Sequence, residues 1–319
     1  MIDSLTADEW ARSLEALPAY PFFSSPRYLQ AWVRHHAPGA RIRAFSCRDT
    51  ANAWRIVALV EARTSRFGTV ALTSAPEGGY GMAGAGAMRA GWIERTLREL
   101  RCYRTDRIEL VIGPAEHAAL SVQSAIKVRD REAWIIDLSR GARCWLDSQV
   151  DKRVRRQLRI AEDRGVITTR HGVDGLDAFY ELYEHTVRQD TNRAPYSRAF
   201  LADLVTAPGP GQAIVYLTRH GDHTIAAGIL LRGGSDALAW IGCFDKATAH
   251  LHGNLHRHYT VIRDLAAEGV AAYNLGAAPN LPDVARFKQK LGATPRPYRI
   301  VIWRNPILAR MRRLLRRTT

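Results

Sequence analysis

Cysteine is scarce in this sequence, and the four present, Cys47, Cys102, Cys144 and Cys243, stand singly with no CxxC pair and no Cys/His ligand spacing. That argues against a disulfide framework and a zinc site, and it leads us to expect no metal and a reducing, cytoplasmic setting. Long apolar runs are missing too: none approaches the ~20 residues that cross a bilayer. The acidic stretch Met1–Trp10 lacks the basic-then-apolar pattern of a secretion signal. Without a sustained heptad run there is no coiled-coil arm to expect. Glycine fingerprints are absent as well. Gly78-Gly79-Tyr80-Gly81 has the spacing of neither a P-loop nor a dinucleotide site, and we read it as a loop. Acidic residues are in deficit, 31 against 46 Lys+Arg, a formal charge of +15.

What remains suits a folded protein of two domains. The chain has 319 residues, 46% hydrophobic and 24% charged, enough for two buried cores. Most of the basic residues are arginine, whose planar fork fits phosphate. A surplus of this size steers polyanions: tRNA, a pyrophosphate-bearing substrate or an anionic membrane face. A high-GC genome would also encode much arginine and raise the total, though it would not account for the local clusters.

Strand and helix patterns alternate twice along the chain, giving an α/β fold with mixed sheets. In the first half, helices are expected near 7–17 and 28–36, strands at 41–47, 54–63 and 69–73, a helix at 88–102, and strands at 108–112 and 133–137. In the second, a basic helix over 144–164 ends at Gly165, a natural C-terminal cap. A strand at 166–170, helices at 176–189 and 198–206 and the hairpin 212–219/224–232 around Gly221-Asp222 follow. A strand at 237–244, a helix at 252–268, a short strand at 272–275, a helix at 282–291 and a strand at 298–303 complete the order. The boundary is expected within 138–146, giving domains 1–142 and 143–319, the latter with a basic amphipathic tail at 304–319.

Three segments resemble the Fem branch of the GNAT acyltransferases, the aminoacyltransferases of peptidoglycan cross-bridges and their relatives. They are the basic run from Lys152 to Val166, the stretch Ala226–Leu231 with Ala239–Gly242, and Gly269–Gly276 followed by Arg286-Phe287-Lys288-Gln289-Lys290-Leu291-Gly292. Pro21–Pro26 is similar to the start of the first Fem domain. The resemblance implies tandem GNAT-like domains, a degenerate acceptor-side one and then one for donor binding and transfer. It also implies amide-bond formation without a metal or a permanently bound cofactor. The co-substrate is aminoacyl-tRNA or, on the alternative reading, acyl-CoA or an acyl carrier. Only one glycine lies in Leu251-His252-Gly253-Asn254, so the glycine-rich pyrophosphate loop of acetyl-CoA enzymes is poorly matched.

Individual candidates follow from charge and spacing. Lys152, Arg153, Arg155, Arg156 and Arg159 stack like charges one turn apart, a repulsion that a polyanion such as tRNA would relieve. By resemblance Lys288 matches the family's Phe-Lys position at the tRNA end, with Lys290 its neighbour; a lysine there sets positive charge against an oxyanion or a leaving hydroxyl. Asp245 is the carboxylate candidate for general base, beside His250, His252, His256 and His258. Gly253, Asn254 and His256 open a helix whose N-terminus suits a phosphate or ribose. Asp190 and Tyr196, between two helices, and Tyr80 in the glycine loop that borders the acceptor groove are expected to line the acceptor site for a small-molecule or peptide amine. The Arg-rich tail would grip nucleic acid or lie on the inner face of a membrane. A non-catalytic RNA- or membrane-binding module is the alternative from another class.

Overall fold

The computed structural model describes residues 2–48, 54–65, 68–76, 82–85, 92–102, 104–113, 126–190, 194–279 and 281–315. Local signals set the first elements. After β1 (Ile2–Ser4), helix α1 (Ala7–Glu15) opens on a reciprocal cap: the Thr6 hydroxyl accepts from the Glu9 N–H while the Glu9 carboxylate accepts from the Thr6 N–H. Helix α2 (Pro26–His36) has Ser25 as its cap and proline in its first turn. Strands β2 (Arg41–Arg48), β3 (Trp54–Arg63), β4 (Val70–Thr73) and β5 (Met82–Ala85), helix α3 (Trp92–Leu100) and strands β6 (Thr105–Ile112) and β7 (Ile126–Asp137) follow.

The second half begins with α4 (Gly141–Cys144), a π-helical turn at Trp145–Gln149, α5 (Lys152–Asp163) and β8 (Val166–His171). Then come α6 (Leu176–Asp190), α7 (Arg198–Thr206), and the strands β9 (Gln212–His220), β10 (His223–Gly233) and β11 (Asp236–Phe244). A 3₁₀ turn (Lys246–Leu251), α8 (Gly253–Ala267), β12 (Ala272–Asn274), α9 (Pro282–Lys290), β13 (Thr294–Arg304) and α10 (Pro306–Leu315) finish the order. The Gly221 turn with φ +56° joins β9 to β10 as expected.

The chain divides into one unit of Met1–Arg131 with Pro297–Thr319 and another of Glu132–Arg296. This differs from the expected boundary at 138–146, and the reason is strand pairing. In the first unit the sheet runs β1-β2-β3-β4-β6-β13, with β5 also on β3; β4 and β6 are parallel and the other pairs antiparallel. Its core holds Leu59, Leu72, Leu97, Leu110, Val301 and Trp303. In the second unit the sheet runs β7-β12-β11-β10-β9-β8, with β11 and β12 parallel. Both units thus repeat one plan: a three-strand meander, a crossover helix, a parallel strand and an antiparallel closing strand. The closing strands are exchanged, since β7 closes the second sheet through Ile135–Asp137 and β13 closes the first through Arg299–Arg304. The tail therefore goes with the first unit, not the second. Asn305 anchors it there, bonding Thr105 and Asp106 carbonyls and capping α10.

The single helix expected over 144–164 is broken. The Asp151 carboxylate accepts from the Arg153 and Val154 N–H groups and restarts the chain as α5. Trp145, fully buried, donates from its indole to the Leu291 carbonyl at 2.7 Å and joins Val261, Leu265, Tyr273 and Leu291 in the second core. The next residue, Gly292, has φ +78°, and a Cβ there would lie 2.9 Å from the Gln149 carbonyl. Only glycine fits that approach.

Candidate active site

Strands β11 and β12 pair only over Asp236–Leu238 and Ala272–Asn274. Beyond that point β11 runs on through Ala239–Phe244 while β12 ends, so the two splay apart. A bulge helps shape the free half. Register with β10 slips between Ile229↔Ile241 and Leu230↔Ala239, leaving Trp240 as the extra residue. Ala237 and Ala239 pack in the core with α8, Trp240 turns to Tyr196 and Phe200 (ring centroids 5.2 and 6.2 Å), and Gly242 faces Arg257 on α8. The slip therefore brings Gly242, rather than Ile241, under the helix.

Arg257, His258, Tyr273 and Lys288 gather at this splay. Arg257 is 4% exposed; its Nη2 donates to Asn254 Oδ1 at 2.9 Å and to His258 Nε2 at 3.0 Å. A guanidinium only donates, so His258 Nε2 is the acceptor and its proton sits on Nδ1, which donates to the Tyr273 hydroxyl at 3.0 Å. Burial, then the charges of Arg257 and Lys288, hold His258 well below the ordinary imidazole range. Tyr273 is pushed up to about 12 by burial. Lys288 is buried on α9, and its Nζ donates to the Gly276 and Ala277 carbonyls, 3.0 Å each, in the turn that ends β12. Burial lowers its pKa to about 8. Phe287 packs beside His258, centroids 5.7 Å apart. The cluster thus concentrates donors and positive charge where a carbonyl or an anion would enter.

The other expected residues divide. Lys152, Arg153, Arg156 and Arg159 are exposed on α5. Arg155 is turned inward: its Nη1 donates to the carbonyls of Leu146, Asp147 and Val150, the open end of the π-helical turn. Asn254 reaches the cluster through Arg257. Gly253 serves packing, since a Cβ would lie 2.7 Å from Ile225 Cδ1. His256 is buried against the sheet, its Nδ1 2.8 Å from the Thr168 hydroxyl, which also bonds Thr218. Asp245 caps the 3₁₀ turn by accepting from the Ala247 N–H. Lys290 is exposed. Tyr196 lies half-buried on Trp240 and Phe200. Asp190 ends α6 in its backbone; its side chain and the whole of Tyr80 lie outside the described residues. Among the described residues no group of three or more His, Cys, Asp or Glu is arranged to hold a metal ion, and no helix is long and apolar enough to cross a membrane.

Sequence reasoning missed Arg257 and Tyr273. The available signal was a glycine in each of two neighbouring strands, Gly228 and Gly242, paired in register beneath one helix.

Residues 148–289 match the family model of the acetyltransferase (GNAT) domain. Among solved structures, FemX is similar at a TM-score of 0.69 and 11% identity, covering 94% of this chain and 96% of that one. A conserved protein of unknown function from Bacteroides thetaiotaomicron VPI-5482 is similar at 0.62 and 11%, covering 96% and 100%. The C-terminal domain of a putative lysylphosphatidylglycerol synthetase from Agrobacterium fabrum is similar at 0.55 and 13%, covering 84% and 87%. A search of curated protein sequences gave no match.

Proposed function

We propose, on the premise of a GNAT acyltransferase domain at 148–289 within a Fem-like fold, that this chain moves an aminoacyl group from aminoacyl-tRNA to an amine of a small-molecule or peptide acceptor. The observation that carries the reading is Lys288, a buried cation on the turn that ends the short strand of the splay. The +15 charge and the exposed arginines of α5 support a polyanionic donor. In this reading the ester carbonyl sits along the free edge of β11. The amine forms a C–N bond, the C–O bond to the ribose breaks, and the amine's proton ends on the released hydroxyl. Lys288 stabilises the negative charge that develops on oxygen. Asp245 accepts from the Ala247 N–H through one carboxylate oxygen, and in this reading the substrate's own hydroxyl relays the proton.

Transfer from acyl-CoA is the second reading, favoured by the acetyltransferase family match. Against it, the loop that would cradle a pyrophosphate is a 3₁₀ turn whose following glycine is used for packing. Mass spectrometry of the acceptor after incubation with total aminoacyl-tRNA, with and without RNase, and with a panel of acyl-CoA thioesters tests the choice. A product lost with RNase is expected. A product formed from acyl-CoA alone and untouched by RNase contradicts tRNA dependence. Contact of the 304–319 tail with an anionic membrane belongs to the same proposal, supported by the exposed Ile307 on α10.

A further inference from the structure

We propose that the splay between β11 and β12 holds a compact oxyanion, a carboxylate or phosphate group carried by a substrate, gripped by Arg257 and Lys288. The sheet is shaped around the guanidinium. Gly228 and Gly242 are register partners on β10 and β11, and a Cβ on the first would lie 2.4 Å from Arg257 Nη1 and on the second 2.9 Å from Nη2. Two neighbouring strands thus omit side chains at one level to seat one arginine.

Packing alone does not call for a charge there. Both hydrogen-bond partners of this guanidinium, Asn254 and His258, are neutral. Its Nε has no hydrogen-bond partner. Among the described residues no carboxylate pairs with Arg257, His258 or Lys288. An arginine whose task is to tie helix to sheet is ordinarily matched by an acid, because leaving a buried charge without a counterion costs several kcal/mol. A second buried cation, Lys288, follows Phe287, whose ring packs 5.7 Å from that of His258; burial first, and then the charges of Arg257 and Lys288, depress this imidazole.

Like charges held out of water without a counterion describe a receptor awaiting one. The guanidinium fork and the ammonium suit carboxylate and phosphate oxygens alike. His258, fixed neutral between Arg257 and Tyr273, orients the guanidinium without adding charge. The inference needs no transfer chemistry and holds whether the donor is tRNA or CoA.

Thermal denaturation of the full chain tests it, with sodium phosphate or sodium acetate replacing chloride at constant ionic strength. Wild type should gain about 2–4 °C at anion concentrations well above Kd, and Arg257→Leu should lose that gain. A gain with phosphate alone assigns a phosphate group, with acetate alone a carboxylate, and with both the shared chemistry. No gain in wild type overturns the proposal. So does an undiminished gain in Arg257→Leu, which would locate the anion elsewhere, for example on α5. If Arg257→Leu does not fold, Arg257→Lys keeps the charge without the fork; its gain should fall at least twofold, and an unchanged gain overturns the proposal.

Discussion

Burial makes single side chains at the splay sensitive to pH. Lys288 has a folded pKa of about 8, below its ordinary 10.5, so its charge fades as pH rises through about 8. If that charge stabilises the developing oxyanion, kcat/KM should show a descending limb near pH 8, and Lys288→Arg should move that limb to higher pH. His256 and His258 behave differently. Both are depressed below 6.5 in the folded state by burial first. Their neutral forms support the fold fully above about pH 6.5. As pH falls below that, the unfolded chain takes up protons that the folded chain refuses, and stability is lost. Melting temperature should therefore fall from pH 7 to pH 5, with a shallower slope in His258→Phe; an identical slope in both proteins would exclude His258 as a source. At this scale the sequence named Lys288 through its Phe-Lys neighbourhood and His258 only as one of several histidines. Arg257 was invisible because its meaning depends on two glycines far off in the chain, which only the strand register brings beneath it.

Helices and strands were the most legible level, because caps and turns are local chemistry. Helix α7 lies where its pattern predicts, capped by Ser197, and Gly165 takes the positive φ expected just past α5. The α4–α5 break was not legible as such. Apolar spacing continues across it, and the deciding group is the carboxylate of Asp151, which reads equally well as one more polar helix residue. The break separates the arginines by role. Arg155→Ala should cost about 1–2 kcal/mol by freeing carbonyls of the π-helical turn, whereas Arg153→Ala and Arg156→Ala should leave denaturation midpoints unchanged and weaken tRNA binding. Equal midpoints for all three variants would refute the division. Trp145 is the anchor of the same segment, and Trp145→Ala should lose about 3–5 kcal/mol in chemical denaturation.

For the whole chain, the tandem plan was readable from the repeated element order, while the division between units was not. Chain order gives β7 to the first half and β13 to the second; pairing gives each partly to the other, because antiparallel closure of a sheet is a tertiary choice with no local signature. Net charge acts at this scale too. With four exposed basic residues on α5 contacting phosphates, tRNA affinity should fall about 100-fold between 50 and 200 mM salt; a flat response in a filter-binding titration would count against a tRNA partner.

Transfer should depend on the cation buried at the splay. Single-turnover transfer from aminoacyl-tRNA by wild type and Lys288→Ala, with melting temperatures measured alongside, tests it most directly. A rate loss of about 100-fold is expected, with the melting temperature lowered only by the few degrees that freeing the Gly276 and Ala277 carbonyls costs. Lys288→Ala turning over at the wild-type rate would contradict it.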